Sequence, residues 1–407
     1  MMKTEKFQPP LSGLKVIDAA SFIAAPVVST LLSDYGADVI KLESITGDTY
    51  RGAYSDNSIW PKGLSEEEFL LENRNKRSLA VDLKTKEGQL VLRRLVIKSD
   101  VFITNLPLDS RGKLNVTDSI IRQINPKIIY ASLTAFGENG PDSDRTALDA
   151  TAWWARSGMM DWSTVGNALP PYPIPGAGDH PTGITLFSSI LLALINRSST
   201  GVGATVHTSL LANGIWSNSL LIQSLLAGHD PIESFQWENL SALRNVYSLK
   251  DQSILYLMLI NEDKHWDIFL ERLGLTKLKF DSRFSSKKNR QENRKILKTI
   301  LQEYFDCLNF SFIEEKLSDT GIVFSKVLKT NDTLKDHQVI SNDMFIHFKD
   351  DDAVTKKVVA PPINIKEIPR TPTKQSPKLG ENNTEILKEL GFDQTEIDKF
   401  KSQKIIT

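Results

Sequence analysis

Short runs of β-branched and aliphatic residues alternate along the first third of the chain with longer stretches whose apolar positions recur every three or four residues. Leu14 to Ala19 (LKVIDA), Asp38 to Glu43 (DVIKLE), Ser78 to Leu83 (SLAVDL), Val101 to Asn105 (VFITN) and Ile128 to Leu133 (IIYASL) read as buried parallel strands. Between them the spacing predicts helices over Pro26 to Tyr35, closed by Gly36, over Thr85 to Lys98, and over Val116 to Asn125, closed by Pro126. Strand and helix alternating in this way imply right-handed crossovers and an α/β fold with a doubly wound, mainly parallel sheet. Such sheets bind ligands beyond the carboxyl ends of their strands, so the loops after Ala19, Glu43, Leu83, Asn105 and Leu133 should surround one crevice.

After these units a Gly/Pro turn, PIPGAGDHPTG from Pro173 to Gly183, feeds the apolar helix pattern Ile184 to Arg197. A Gly-rich turn, a brief strand and a second helix to about Leu226 follow, and the turn at Asp230 and Pro231 marks a boundary. From Asn245 to about Asp332 the pattern changes to strand-like VYSLK and ILYLMLI, then helices near Asp263 to Leu273, Gln291 to Leu308 and Ser311 to Leu317. That is the pattern of a smaller α+β domain. The segment from Ala360 is Pro-rich and extended before a last helix pair with Gly391 as a stop signal, and a long extended tail lies on a body or wraps a partner.

Composition narrows the chemistry. The 407 residues suffice for two domains with ample core, at 40% hydrophobic and 24% charged residues. A formal charge of −1 leaves no global field to attract nucleic acid or an anionic membrane. The single cysteine, Cys307, excludes an internal disulfide and a multi-cysteine metal site, suits a reducing compartment, and reads as a small buried residue of an amphipathic helix. The start carries no apolar signal core, and the longest apolar run is too short to cross a bilayer, which takes about 20 residues. A cytoplasmic protein without nucleic-acid or membrane partners is therefore expected. The turn after the first strand, DAASFIAAP, lacks the G-x-G-x-x-G of a dinucleotide site, no Walker-type loop is present, and the histidines show no metal-ligand spacing. Arg74, Lys76, Arg77, Lys84, Lys113 and Arg145 each read alone as a solvated surface charge rather than a ligand, but they gather near predicted strand ends, as a phosphate-bearing ligand requires.

Asp179, with His180 beside it, is an isolated acid inside the glycine turn. Gly176 and Gly178 permit backbone angles and close approaches that other residues resist, and Pro181 with the apolar run marks a helix start. Two readings stand. Asp is a preferred helix cap. A carboxylate at a helix start also sits in a positive field, worth up to about 1 kcal/mol at exposed sites, that favours the ionised, nucleophilic form.

The chain resembles the family III coenzyme A transferases, the CaiB/BaiF type, which include formyl-CoA and carnitine CoA-transferases and the related α-methylacyl-CoA racemases. The resemblance runs through LSGLKVIDAASFIAAP (Leu11 to Pro26), YGADVIKLES (Tyr35 to Ser44), NRNKRSLAVDLKTKEG (Asn73 to Gly88), SDVFITN (Ser99 to Asn105), GAGDHPTG (Gly176 to Gly183), TGVGATVHTSLL (Thr200 to Leu211) and LGENNTEILKELGF (Leu379 to Phe392). It implies a large CoA-binding domain of residues 1–228 and 340–407, a small domain of 229–339, and a ring-shaped chain in an interlocked homodimer. It implies that Asp179 is the nucleophile, acylated by an acyl-CoA and then converted to an aspartyl-CoA thioester. The glycine turn would then donate amides to oxyanions. By position, Ile23, Ala24, Val81, Lys84, Asn105, Lys113 and Arg145 would contact coenzyme A, and Asp149, Gly176, Gly178 and His180 would border the acyl site. Coenzyme A and acyl-CoA enter as substrates, with no permanently bound cofactor and no metal.

Three departures sharpen this. Leu148 precedes Asp149 where the racemases carry a second proton carrier, so transfer is favoured over racemisation, with a non-catalytic CoA-binding protein as the other alternative. Ser44 stands where some members have an Arg for a CoA phosphate, and ENLSALRNVYSLKDQS has no glycine-rich flap. The insert from Gly52 to Arg77 and the set PPYPIPGAGDHPTG are similar to the branch that handles (R)-phenyllactate and (R)-2-hydroxyisocaproate, with Trp153, Trp154 and Phe187 as candidate walls of an apolar acyl pocket.

Overall fold

A computed structural model describes residues 8–52, 67–166, 168–229, 239–348, 357–368 and 370–407. The turn at Asp230 and Pro231 and residues 53–66 of the insert lie outside these. The chain divides into one unit of Met1–Thr164, Leu169–Leu226 and Asp343–Thr407, and another of Val165–Ala168 and Ala227–Asn342.

The first unit is built on six parallel strands, β1 (Lys15–Ala19), β2 (Asp38–Glu43), β3 (Arg77–Ala80), β4 (Val101–Thr104), β5 (Ile129–Thr134) and β6 (Thr205–Ser209), in the order β3-β2-β1-β4-β5-β6. The order reverses between β1 and β4, which opens a crevice beyond their carboxyl ends. Alternation along each strand feeds two cores. Val16, Val39, Val101 and Ile129 face one, and Ile17, Ile40, Phe102 and Tyr130 the other.

Helices α1 (Pro26–Asp34), α2 (Glu67–Asn73), α3 (Lys86–Ile97), α4 (Leu108–Lys113), α5 (Asp118–Ile124), α6 (Met159–Trp162), α7 (Asp179–Thr200), α8 (Leu210–Ser217) and α9 (Ser219–Leu226) follow in this unit. Thr85 and Thr117 cap α3 and α5 by accepting the Gly88 and Ile120 amides. Every residue of α1 is buried, because it packs against the sheet, α2 and α7. At its contact with α7 the backbones nearly touch: a Cβ on Gly183 would lie 2.1 Å from Val27 Cγ1 and 2.9 Å from the Ala24 carbonyl oxygen.

Strand β3 ends earlier than the sequence pattern predicts, because the chain's end takes over the pairing. Val81 bridges Ile406, and the Asp82 amide donates to the Ile405 carbonyl. The Pro-rich tail lies along its own chain. Its Thr371 amide donates to Asp34, Pro377 accepts from Arg51, and the Asn382 and Asn383 side chains accept from the amides of Ser78 and Ala80. The tail thus covers an otherwise open sheet edge. Helices Asn383–Glu389 and Gln394–Ser402 then pack on the sheet's second face.

The second unit has an antiparallel sheet, β7 (Arg244–Ser248), β8 (Ile254–Met258) and β9 (Val323–Val327), backed by helices including Glu262–Arg272, Arg294–Phe305 and Phe310–Leu317. Strand β9 escaped the sequence reading because VFSKV mixes exposed apolar and polar residues and forms a sheet edge. The helix expected from Gln291 to Leu308 breaks at Asn293, and Cys307 is exposed beyond its end rather than buried. Among the described residues no helix is long and apolar enough to cross a membrane.

The Gly183 contact yields a measurable expectation. Gly183→Ala overpacks the α1–α7 crossing and lowers stability by about 1–3 kcal/mol in denaturant unfolding; an unchanged midpoint contradicts the contact.

Candidate active site

The crevice holds two cavities. The first, of about 480 Å³, is lined by Phe22, Ile23 and Ala24 after β1, by Asn105 after β4, by Arg145 and Asp149, and by Gly176 and Asp179. Aliphatic side chains, among them Leu106, Leu108, Leu133 and Ile174, complete its walls. The second, of about 490 Å³, lies beyond β1, β2 and β3 and contains Ser44, Val81 and Lys84. Leu106 borders both. Asn105 holds the ridge between them, its side chain accepting the Ser21 amide at 3.0 Å and donating to the Ser21 carbonyl at 2.8 Å. That brace leaves Phe22 at φ 64°, an outlying conformation for a bulky residue, on the first cavity's wall.

Asp179 is the first residue of α7, and Gly178 occupies the cap position. The carboxylate makes no capping bond, so the capping reading is corrected: the helix begins earlier than its apolar pattern, and the side chain lines the cavity instead. The turn before it is shaped from three sides. Gly176 has φ 72°, which favours glycine. Gly178 sits on the Trp153 ring, where a Cβ would meet ring carbons at 2.6–2.9 Å. The Gly178 amide donates to Asp149 Oδ2 at 3.1 Å, which fixes the turn and places a second buried carboxylate beside Asp179. Asp149 itself leads into a single π-helical turn, Ala150–Ala155, an irregularity common at functional sites.

His180 braces the turn from the other side. Its Nδ1 bonds the Gly176 carbonyl at 2.9 Å and its Nε2 bonds Glu72 Oε1 at 2.9 Å. Both acceptors are oxygens, so both ring nitrogens donate and the ring is an imidazolium. Burial opposes that charge, but the Glu72 hydrogen bond and charge, with Gly176 and Asp179, push the His180 pKa up to about 9. Asp179 moves the same way for the opposite reason. Burial and the neighbouring Asp149 raise it to about 8, His180 opposes, and Glu72 adds to the rise. The sequence reading expected the helix start to keep Asp179 ionised; desolvation and crowded carboxylates outweigh that field.

Arg145 lies on the first cavity and ion-pairs with Asp142 at 3.7 Å. Lys113 is exposed, 3.8 Å from Asp109, and lines neither cavity, although its neighbour Leu114 lines the second. Arg74, Lys76 and Arg77 are not at the crevice mouth: they are committed to Asp34, to Asp18, and to Asp38 with Glu385 and Glu389. Trp153, Trp154 and Phe187 do not line the first cavity; Trp153 is the platform under Gly178. Sequence reasoning missed Glu72, 108 residues from its partner His180, and Phe22, because neither long-range pairing nor a left-handed phenylalanine leaves a local signal. Among the described residues no set of His, Cys, Asp or Glu is arranged to hold a metal.

The model of the CoA-transferase family III matches residues 11–383. The chain is 30% identical to the cinnamoyl-CoA:phenyllactate CoA-transferase of Clostridium sporogenes, over 97% of each chain. It is 29% identical to the (R)-2-hydroxy-4-methylpentanoate CoA-transferase of Clostridioides difficile, over 97% of this chain and 99% of that one. A crystal structure of a CaiB/BaiF family protein from Brucella suis superimposes with a TM-score of 0.81 at 28% identity, covering 94% of this chain and 100% of the other. The chain belongs to the CoA-transferase family III and is an enzyme that moves coenzyme A between an acyl-CoA and a carboxylic acid.

Proposed function

We propose that Asp179 carries the transfer covalently and that the acids served are branched or aromatic 2-hydroxy acids. The observation that carries the first part is the position of the Asp179 carboxyl: on the wall of an apolar cavity, without a capping bond, beside Asp149. In the first step an Asp179 oxygen attacks the thioester carbonyl carbon, the C–S bond breaks, and coenzyme A leaves as thiolate. The thiolate then attacks the aspartyl carbonyl of the mixed anhydride, releasing the donor acid as carboxylate and leaving an aspartyl-CoA thioester. The acceptor carboxylate repeats these two steps in reverse, so electrons and protons balance without a co-reactant.

The environment of Asp179 favours this sequence. Protonation and acylation both remove the charge that burial and Asp149 make unfavourable, so whatever raises its pKa also favours its acylated forms. The Gly178 amide is engaged by Asp149, so it steadies the turn rather than waiting for an oxyanion. Access to the anion then limits the first step near neutral pH. The fraction ionised grows as pH rises through about 8, and the His180 imidazolium is lost as pH passes about 9.

The substrate reading rests on the aliphatic and aromatic lining of the first cavity, including Leu106, Leu133, Leu148 and Tyr172. Its volume of about 480 Å³ is that of a small-molecule site. The names of the two Clostridium-related relatives, which specify phenyllactate and 2-hydroxy-4-methylpentanoate, agree with that lining.

Incubation with acyl-CoA and trapping by hydroxylamine or borohydride should place an adduct on Asp179 by peptide mass spectrometry, forming faster as pH climbs through about 8. Asp179→Ala should lose the adduct and at least about 10³-fold in transfer rate; full activity in that variant would sink the mechanism. In a panel of acceptors, branched and aromatic 2-hydroxy acids should exceed dicarboxylates and betaines in kcat/KM, and a preference for dicarboxylates contradicts the reading of the cavity.

A further inference from the structure

Glu72 projects from the last turn of α2 and is almost fully buried, at 1% exposure. Its carboxylate has one bonded partner, the Nε2 of His180, while its second oxygen has no hydrogen-bond partner among the described residues. A buried carboxylate so poorly satisfied is costly unless an opposite charge sits against it. The backbone of Glu72 is held firmly. Its carbonyl accepts from Thr30 on α1 and from Lys76, whose ammonium also bonds Pro26, Asn73 and Asp18. The same lysine therefore ties the end of β1, the start of α1 and the end of α2 to one point.

We propose that Glu72 is a positioning residue for the nucleophile: its hydrogen bond keeps His180 in the doubly donating form that grips the Gly176 carbonyl and sets the turn presenting Asp179. This rests on Asp179 as nucleophile. The chain of contacts is continuous, from Thr30 and Lys76 to Glu72, to His180, to Gly176, and so to the first residue of α7. A neutral imidazole has one N–H and can hold only one of its two oxygen partners. Loss of the second proton therefore releases either the turn or Glu72. The groups facing this imidazolium are Glu72 from α2, the Gly176 carbonyl from the turn, and Asp179 on its own helix, with Asp149 beyond Asp179 and Lys76 beyond Glu72. Of these, only Glu72 makes a charged hydrogen bond to it among the described residues. Glu72 accordingly determines where on the pH scale the brace fails.

The test compares the wild type with Glu72→Gln and Glu72→Asp. Histidine ring NMR, with the His180 signal identified by its loss in His180→Gln, reads the titration, and the rate of Asp179 adduct formation from acyl-CoA is followed across pH. In the wild type His180 should titrate near 9; a midpoint near the ordinary 6.5 overturns the proposal without any variant of Glu72. In Glu72→Gln the midpoint should fall by about 1–3 units and the alkaline limb of adduct formation should fall with it, with kcat reduced and KM for the thioester little changed. Glu72→Asp, which keeps the charge, should restore the limb toward its wild-type position. A fallen midpoint with an unmoved alkaline limb, or a uniform loss of rate at every pH, overturns the proposal. A wild type that forms no adduct on Asp179 while His180 titrates near 9 rejects the nucleophile, and with it this role for Glu72.

Discussion

Everything at this site depends on the electrostatic crowding of one carboxyl group. Asp179 shares a desolvated corner with Asp149 and Glu72, and the His180 imidazolium is the cation that offsets them. A helix N-terminus alone would leave an aspartate ionised and content. Here the anion is disfavoured, so any event that neutralises it is favoured, and the proposed acylation would be such an event. The glycines, the Trp153 platform and the tight α1–α7 crossing at Gly183 all serve to hold this corner in place.

The rest of the first unit can be read as support for that arrangement. Strand order reverses between β1 and β4, and the loops there form the two cavities. The ridge between them is fixed by Asn105 and by Arg111, a buried guanidinium that donates to the Leu106 carbonyl and pairs with Glu138 at 3.0 Å. A buried charge cluster beneath the crevice, Asp18 with Lys76 and Lys41, links β1 to β2 and to helices α1 and α2. Burial pulls Lys76 down to about 8, against the attraction of Asp18. Breaking one member of such a cluster leaves an uncompensated buried charge, which makes the cluster a rigid foundation rather than a reservoir of stability.

Much of the fold was legible because parallel, doubly covered strands leave continuous apolar runs, as at DVIKLE and VFITN, and because Gly36, Thr85 and Pro126 punctuate the helices. Strand β9, the break at Asn293 and the early end of β3 were not, since each is settled by packing or by a distant part of the chain. The site divides along the same line. GAGDHPTG marked the local turn, and resemblance marked Asp179, yet the residues that set its charge state come from elsewhere: Asp149 through a single amide, and Glu72 through His180. Arg74, Lys76 and Arg77 looked like phosphate ligands because a basic run reads alike whether it faces solvent or buried acids.

The central claim, that folding makes the charged form of Asp179 unfavourable, is open to a direct thermodynamic measurement. Unfolding free energies of the wild type and Asp179→Asn, taken from pH 3 to 10, isolate that one carboxyl. A group whose folded pKa is raised stabilises the fold fully below its ordinary value of 3.8 and loses that contribution as pH rises to about 8. The account therefore predicts that Asp179→Asn gains on the wild type steadily between those pH values and keeps a constant advantage above them. A difference that is flat across the range, or that favours the wild type more as pH rises, would contradict it.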